Sequence, residues 1–193
     1  MLTERFSIAL TEAARLHRAQ LRKGTDIPYI SHLLAVASLV LENGGDEDQA
    51  IAALLHDAIE DCAEEVGGAT LLCDRFLALF GTRVLEMVNA CTDAVTTPKP
   101  PWKDRKEAHL RHLQLADPAV LLVVAADKLH NTRCILSDLR LHGSETWNRF
   151  KGGRDGTLWY LTAMSALLSQ RLQNPLSRQL VESVSTLHSL SAP

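Results

Sequence analysis

The sequence lacks most marks of a secreted, membrane-bound or nucleic-acid-binding protein. Its four cysteines, Cys62, Cys73, Cys91 and Cys134, are widely spaced and form no C-x-x-C pair, so they read as reduced core or helix residues. The amino terminus carries Glu4 and Arg5 and lacks the long apolar run of a signal peptide or membrane span, which predicts a cytoplasmic protein with no membrane partner. No basic excess is present: a formal net charge of -3 and a pI near 6.2 argue against a nucleic-acid partner. No stretch alternates apolar and polar residues over strand length, and there is neither an internal repeat nor a heptad seam.

What is there is helical periodicity. With 46% hydrophobic residues over 193 positions, the chain can bury a sizeable core, and it is expected to form one all-α domain, a compact multi-helix bundle over 1–193. A first helix carries the stripe Ala9, Leu10, Ala13 and Leu16, loosening at Lys23-Gly24 before Pro28. A second runs from near Ser31 to Gly44-Gly45. A third starts at Asp46, which with Gln49 has the spacing of a capping box, and places Ile51, Leu54, Leu55, Ala58 and Ile59 on one continuous apolar face. Helices are expected at 71–79 and 82–90, a proline-rich loop at 96–101, and a charged helix at 102–115. Asp117-Pro118 then opens a helix whose apolar run 120–126 ends abruptly in Asp127, Lys128, His130, Asn131 and Arg133. Gly152-Gly153 and Asn174-Pro175 divide the remainder into short helices with a frayed tail after Leu187.

The chemistry concentrates in Leu54-Leu55-His56-Asp57-Ala58-Ile59-Glu60-Asp61, where four ionisable groups interrupt an apolar helix. His56 and Glu60 are four residues apart, as are Asp57 and Asp61, so each pair stacks one turn apart and all four line one cleft. His56 and Asp57 offer a nitrogen and an oxygen ligand to a divalent metal, and His32 and Asp127 are the candidates to complete the set. Two imidazoles and two carboxylates suit Mn, Fe or Zn, with Mn expected. Such an ion polarises a phosphoryl oxygen and lowers the pKa of water, which leaves Glu60 and Asp61 as the acid/base pair. A histidine on an apolar helix is more often a hydrogen-bonded core residue, but that reading leaves Asp57 and Asp127 charged beside apolar neighbours without compensation, at high cost.

The words around these residues carry a resemblance. His32, His56-Asp57 and the distant Asp127 resemble the H…HD…D signature of the HD superfamily of metal-dependent phosphohydrolases. Pro28-Tyr29-Ile30-Ser31-His32, Leu54-Leu55-His56-Asp57-Ala58-Ile59-Glu60-Asp61 and Ala126-Asp127-Lys128-Leu129-His130-Asn131-Thr132-Arg133 are similar to the hydrolase domain of the RelA/SpoT family. With no synthetase domain attached, the chain resembles the stand-alone small alarmone hydrolases. The likeness runs over about 13–140, with divergent carboxyl-terminal helices over 144–190. It implies Mn-dependent removal of pyrophosphate from the 3′ position of (p)ppGpp or (p)ppApp, a stringent-response activity. It further implies His32, His56, Asp57 and Asp127 as ligands, Glu60 and Asp61 as catalytic carboxylates, and Asn131 as a substrate contact. Leu33, Cys62 and Thr132 depart from the commoner family residues without removing a ligand, whereas 96–102 and the carboxyl-terminal third match poorly.

Arg22 and Lys23 match basic positions that face the nucleotide in that family, and Arg and Lys pair well with phosphate. Tyr160 offers a ring for stacking on a base, although an aromatic cluster at this spacing more often belongs to the core. His17 and His130 read as structural or supporting residues. Two further functions fit the same residues: hydrolysis of another nucleotide phosphate, and a catalytically silent nucleotide-binding HD module. Assembly into a homo-oligomer is compatible with the sequence.

Overall fold

The computed structural model describes residues 1–93 and 98–191, and across them the chain is helical with one isolated antiparallel bridge, Leu21 to Pro28, in place of strands. The expected loop positions Thr96 and Thr97 and the last two residues lie outside the described residues, while Pro98 to Pro101 are non-helical. The chain folds as two compact units, Met1–Pro100 and Pro101–Pro193.

In the first unit, α1 (Glu4–Leu16) starts at Thr3, whose hydroxyl accepts from the Arg5 amide, and buries Ala9, Ala13 and Leu16. Among these apolar residues, the buried Glu12 is held by the Arg75 guanidinium at 2.6 and 2.9 Å. The helix ends with its apolar stripe at Leu16, short of the loosening expected at Lys23-Gly24. Beyond His17 the backbone bonds across a loop, with the Arg22 amide donating to Ile27 and the Tyr29 amide to Gln20, so these groups are withdrawn from the helical ladder. α2 (Ile30–Glu42) buries His32 with Leu33, Val36, Ala37 and Val40. It ends at Asn43 and Gly44, the latter at φ +81°, and the Gly45 amide returns to the Val40 carbonyl.

α3 (Glu47–Leu55) is set by the expected capping box, with Asp46 accepting from the Gln49 amide and Gln49 returning to the Asp46 amide. Every residue from Gln49 to Leu55 is buried, and α3 packs against α1, α2 and α6 (Thr82–Cys91). The continuous helix predicted through Ile59 is interrupted: His56 and Asp57 form a turn before α4 (Ala58–Cys62). α5 (Ala69–Phe80) packs on α4 and α6.

In the second unit, α7 (Trp102–Leu113) precedes α8 (Pro118–His142), which Asp117 caps and Pro118 opens. α9 (Gly153–Leu172) and α10 (Pro175–Leu190) both pack against α8. They are longer than the short helices expected, at 20 and 16 residues, and α10 carries through Leu187 to Leu190. Gly156 does not break α9 because it is packing space: Trp102 lies over Gly152 and Gly156, where an added Cβ would meet its ring at 2.7 and 3.1 Å.

Asp46→Ala is expected to cost about 1 kcal/mol in denaturant unfolding with an unchanged m-value. Asp46→Asn should retain most of that, because it loses only the exposed pair with Arg83. Gly152→Ala should destabilise by about 1–3 kcal/mol through the Trp102 collision, measured the same way.

Candidate metal centre

The turn between α3 and α4 decides where the ionisable groups point. Asp57 adopts φ −96°, ψ −7° and its carboxylate lies beside two imidazoles: Oδ2 is 3.0 Å from His56 Nε2 and 3.6 Å from His32 Nε2. Each of these three residues offers a ligand atom within 4.8 Å of the others. The histidines are 1% and 2% exposed, with ring centroids 5.3 Å apart, so the donors are held by the core.

The donor set suits a divalent ion in protonation as well as position. His56 Nδ1 donates to the Ala53 carbonyl at 2.8 Å, which places the Nδ1 proton away from the cluster and leaves Nε2 as the nitrogen available to a metal. Tyr29, one turn before His32, donates its hydroxyl to Asp57 Oδ2 at 2.6 Å. Two imidazole nitrogens and a carboxylate, oriented by such outer contacts, match the requirements of Mn, Fe or Zn.

Glu60 and Asp61 follow on α4, where the helical bond from the Asp61 amide to the Asp57 carbonyl sets them one turn on. Glu60 accepts from the Lys99 ammonium at 2.8 Å and from the Asp93 amide at 3.3 Å. Asp61 accepts from the Gln20 side-chain amide at 2.8 Å. Although Asp61 is exposed as a residue, its carboxyl is crowded by protein atoms. That loss of water, followed by the charge of Asp57, pushes its pKa up to about 6, against the lowering effect of Gln20.

Of the predicted phosphate contacts, Arg22 stacks its guanidinium over Tyr29 at 5.4 Å, whereas Lys23 stands exposed on the same loop. Asp127, on α8 in the second unit, is 7% exposed; the Lys128 ammonium binds it at 2.6 Å and the Asn131 amide donates to its other oxygen. Asn131 therefore braces a predicted ligand. Tyr160, expected as a stacking surface, is instead 6% exposed: its hydroxyl bonds His109 at 3.0 Å and its ring meets Trp102 edge-on. An aromatic packed on this many sides presents no open face for a base.

Sequence reasoning passed over Gln20, Tyr29 and Lys99. Tyr29 stood inside the word ending in His32, but nothing local reveals that Gln20 folds back to α4, or that a lysine in a proline-rich loop reaches Glu60.

Comparison with known proteins places the chain in a lineage. The HD domain family model matches residues 9–158. The chain is 36% identical over 142 residues to guanosine-3′,5′-bis(diphosphate) 3′-pyrophosphohydrolase MESH1 of Homo sapiens, covering 72% of each protein. It is 35% identical over 139 residues to the enzyme of the same name from Xenopus tropicalis, covering 70% of each. A solved structure of a metazoan ortholog of SpoT, described as hydrolyzing ppGpp and acting in starvation responses, matches with a TM-score of 0.77 at 26% identity, over 96% of this chain and 97% of that one. On the extent of these matches, the chain belongs to the HD domain family and is a homologue of the MESH1 ppGpp hydrolases.

Proposed function

We propose that this protein is a metal-dependent 3′-pyrophosphohydrolase of alarmone nucleotides, acting on (p)ppGpp, (p)ppApp or both, with Mn as the working ion. The observation that carries the reading is the convergence of His32, His56 and Asp57, followed one turn later by two carboxylates. The two units are read as parts of one HD domain, because the family match runs from residue 9 to 158 and so through residue 100. A nucleotide is the partner this site supports.

In this reading His32, His56 and Asp57, with Asp127 from α8, hold the ion. When bound, it supplies Lewis acidity to a phosphoryl oxygen and a more acidic water. The remaining work belongs to the chain. His56 keeps its tautomer through Ala53, and Tyr29 restrains Asp57. Glu60 and Asp61 handle the protons: one takes a proton from the attacking water, and the other gives one to the 3′ oxygen as its bond to phosphorus breaks and pyrophosphate departs. A carboxyl whose pKa lies near 6 is suited to both directions of transfer near neutral pH. Arg22 and Lys23 provide cationic contacts for the phosphates from the loop before α2, and Asn131 steadies Asp127.

The deciding assay is pyrophosphate release from ppGpp and ppApp by purified protein, with Mn added and with metal stripped. Metal-dependent release is expected. Silence on both nucleotides with metal shown to be bound would overturn the assignment, and cleavage of a different nucleotide alone would replace the substrate. Asp57→Ala and Asp127→Ala are expected to lose bound metal by elemental analysis. Glu60→Gln and Asp61→Asn should keep it while kcat falls about 10²–10⁴-fold. Loss of metal in the latter pair would show that these carboxylates are ligands.

A further inference from the structure

We propose that Gln20 and His17 are a positioning pair for the reaction: His17 fixes the amide of Gln20, and Gln20 aims the Asp61 carboxylate. The inference rests on the hydrolase reading above.

His17, at the carboxyl end of α1, is 2% exposed. Its ring lies flat on Tyr29, with centroids 5.2 Å apart and planes inclined by 17°. Cys62 Sγ sits 3.6 Å from its Nδ1, and burial holds that thiol protonated, with its pKa pushed up to about 12. Burial also lowers the pKa of His17, so the imidazole is neutral at neutral pH and carries a single N–H. His17 Nδ1 meets Gln20 Oε1, an oxygen that can only accept, so that N–H is on Nδ1. The amide of Gln20 is thereby prevented from flipping, and its NH₂ group is directed at Asp61 Oδ2, 2.8 Å away. An amide free to turn would present oxygen to a carboxylate in half of its orientations.

The same stack reaches the other carboxylate. Tyr29, lying on the His17 ring, donates to Asp57. One small group of side chains from the end of α1, the following loop and the start of α2 thus sets both Asp57 and Asp61. This gives the truncated α1 a purpose: the chain leaves the helix at His17, which brings Gln20 within reach of α4. Neither Gln20 nor His17 is assigned contact with the reacting atoms, so both act through Asp61.

The test compares wild type with Gln20→Leu, which cannot donate, and with His17→Phe, which keeps the stacked ring but removes the Nδ1 donor. Two quantities are read: kcat and KM for ppGpp with Mn, and the titration of the Asp61 carboxyl by carbon NMR in the metal-free protein. The charged groups acting on that carboxyl are Asp57, Glu60 and Lys99, and all are retained. Gln20 stabilises the ionised form, so its loss must raise the titration midpoint above that of the wild type. The expected result for Gln20→Leu is a fall in kcat of about 10–100-fold with KM held within about twofold, together with that upward movement. His17→Phe should move both quantities in the same direction by less. Thermal unfolding of Gln20→Leu within a few degrees of wild type separates this from a general loss of structure, because Gln20 is half-buried. An unmoved midpoint overturns the proposal, and so does a moved midpoint with full kcat. If the wild type cleaves no alarmone, the hydrolase reading falls on that result, while the titration alone still decides whether Gln20 and His17 govern Asp61.

Discussion

The site depends on a break in one buried helix. Every residue from Gln49 to Leu55 is enclosed, and an unbroken helix would carry the following ionisable groups around its circumference at 100° intervals. The turn at His56 and Asp57 prevents this, bringing the Asp57 carboxylate back against the Nε2 atoms of both His56 and His32. A carboxylate so placed is costly without partners; the Tyr29 hydroxyl donates to it, and an ion shared with the two Nε2 atoms would offset its charge. The α3 core supplies the rigidity, and the turn supplies the direction.

Around this centre the candidate groups are restrained by neighbours: Ala53 accepts from His56, Lys99 and the Asp93 amide hold Glu60, and Gln20 holds Asp61. In the second unit, Lys128 and Asn131 hold Asp127. Such outer contacts reduce the reorganisation needed when substrate arrives, because orientation has been settled on folding. The crowding of Asp57, Glu60 and Asp61 also has an electrostatic consequence. Burial first, and then the charge of Asp57, raise the pKa of Asp61, so ionising the whole cluster is opposed and a bound cation would offset that cost.

Much of the fold was legible because it follows from local rules. The capping box at Asp46, the proline opening α8 and the glycine exit from α2 each act within a few residues, so they can be read in order along the chain. Where reading fell short, distant groups competed with local preference. α1 stops at Leu16, short of the break expected at Lys23-Gly24, because backbone groups near Gln20 and Arg22 find partners at Tyr29 and Ile27. Tyr160 followed the same pattern: its residue type suggested a stacking surface, and its neighbours Trp102 and His109 enclosed it.

The sequence by itself determined the helical class, the family, and the candidate donors His32, His56, Asp57 and Asp127 with the carboxylates Glu60 and Asp61, because composition, periodicity and short words are properties of the chain in order. Only the tertiary structure decided that His32 joins His56 and Asp57, that Lys99 faces Glu60, and that Gln20 turns toward Asp61. These are pairings between residues far apart in sequence. They are fixed by how α2, α3 and the loop after α1 pack and by which hydrogen-bond partners remain there, and neither is written in any local stretch of the chain.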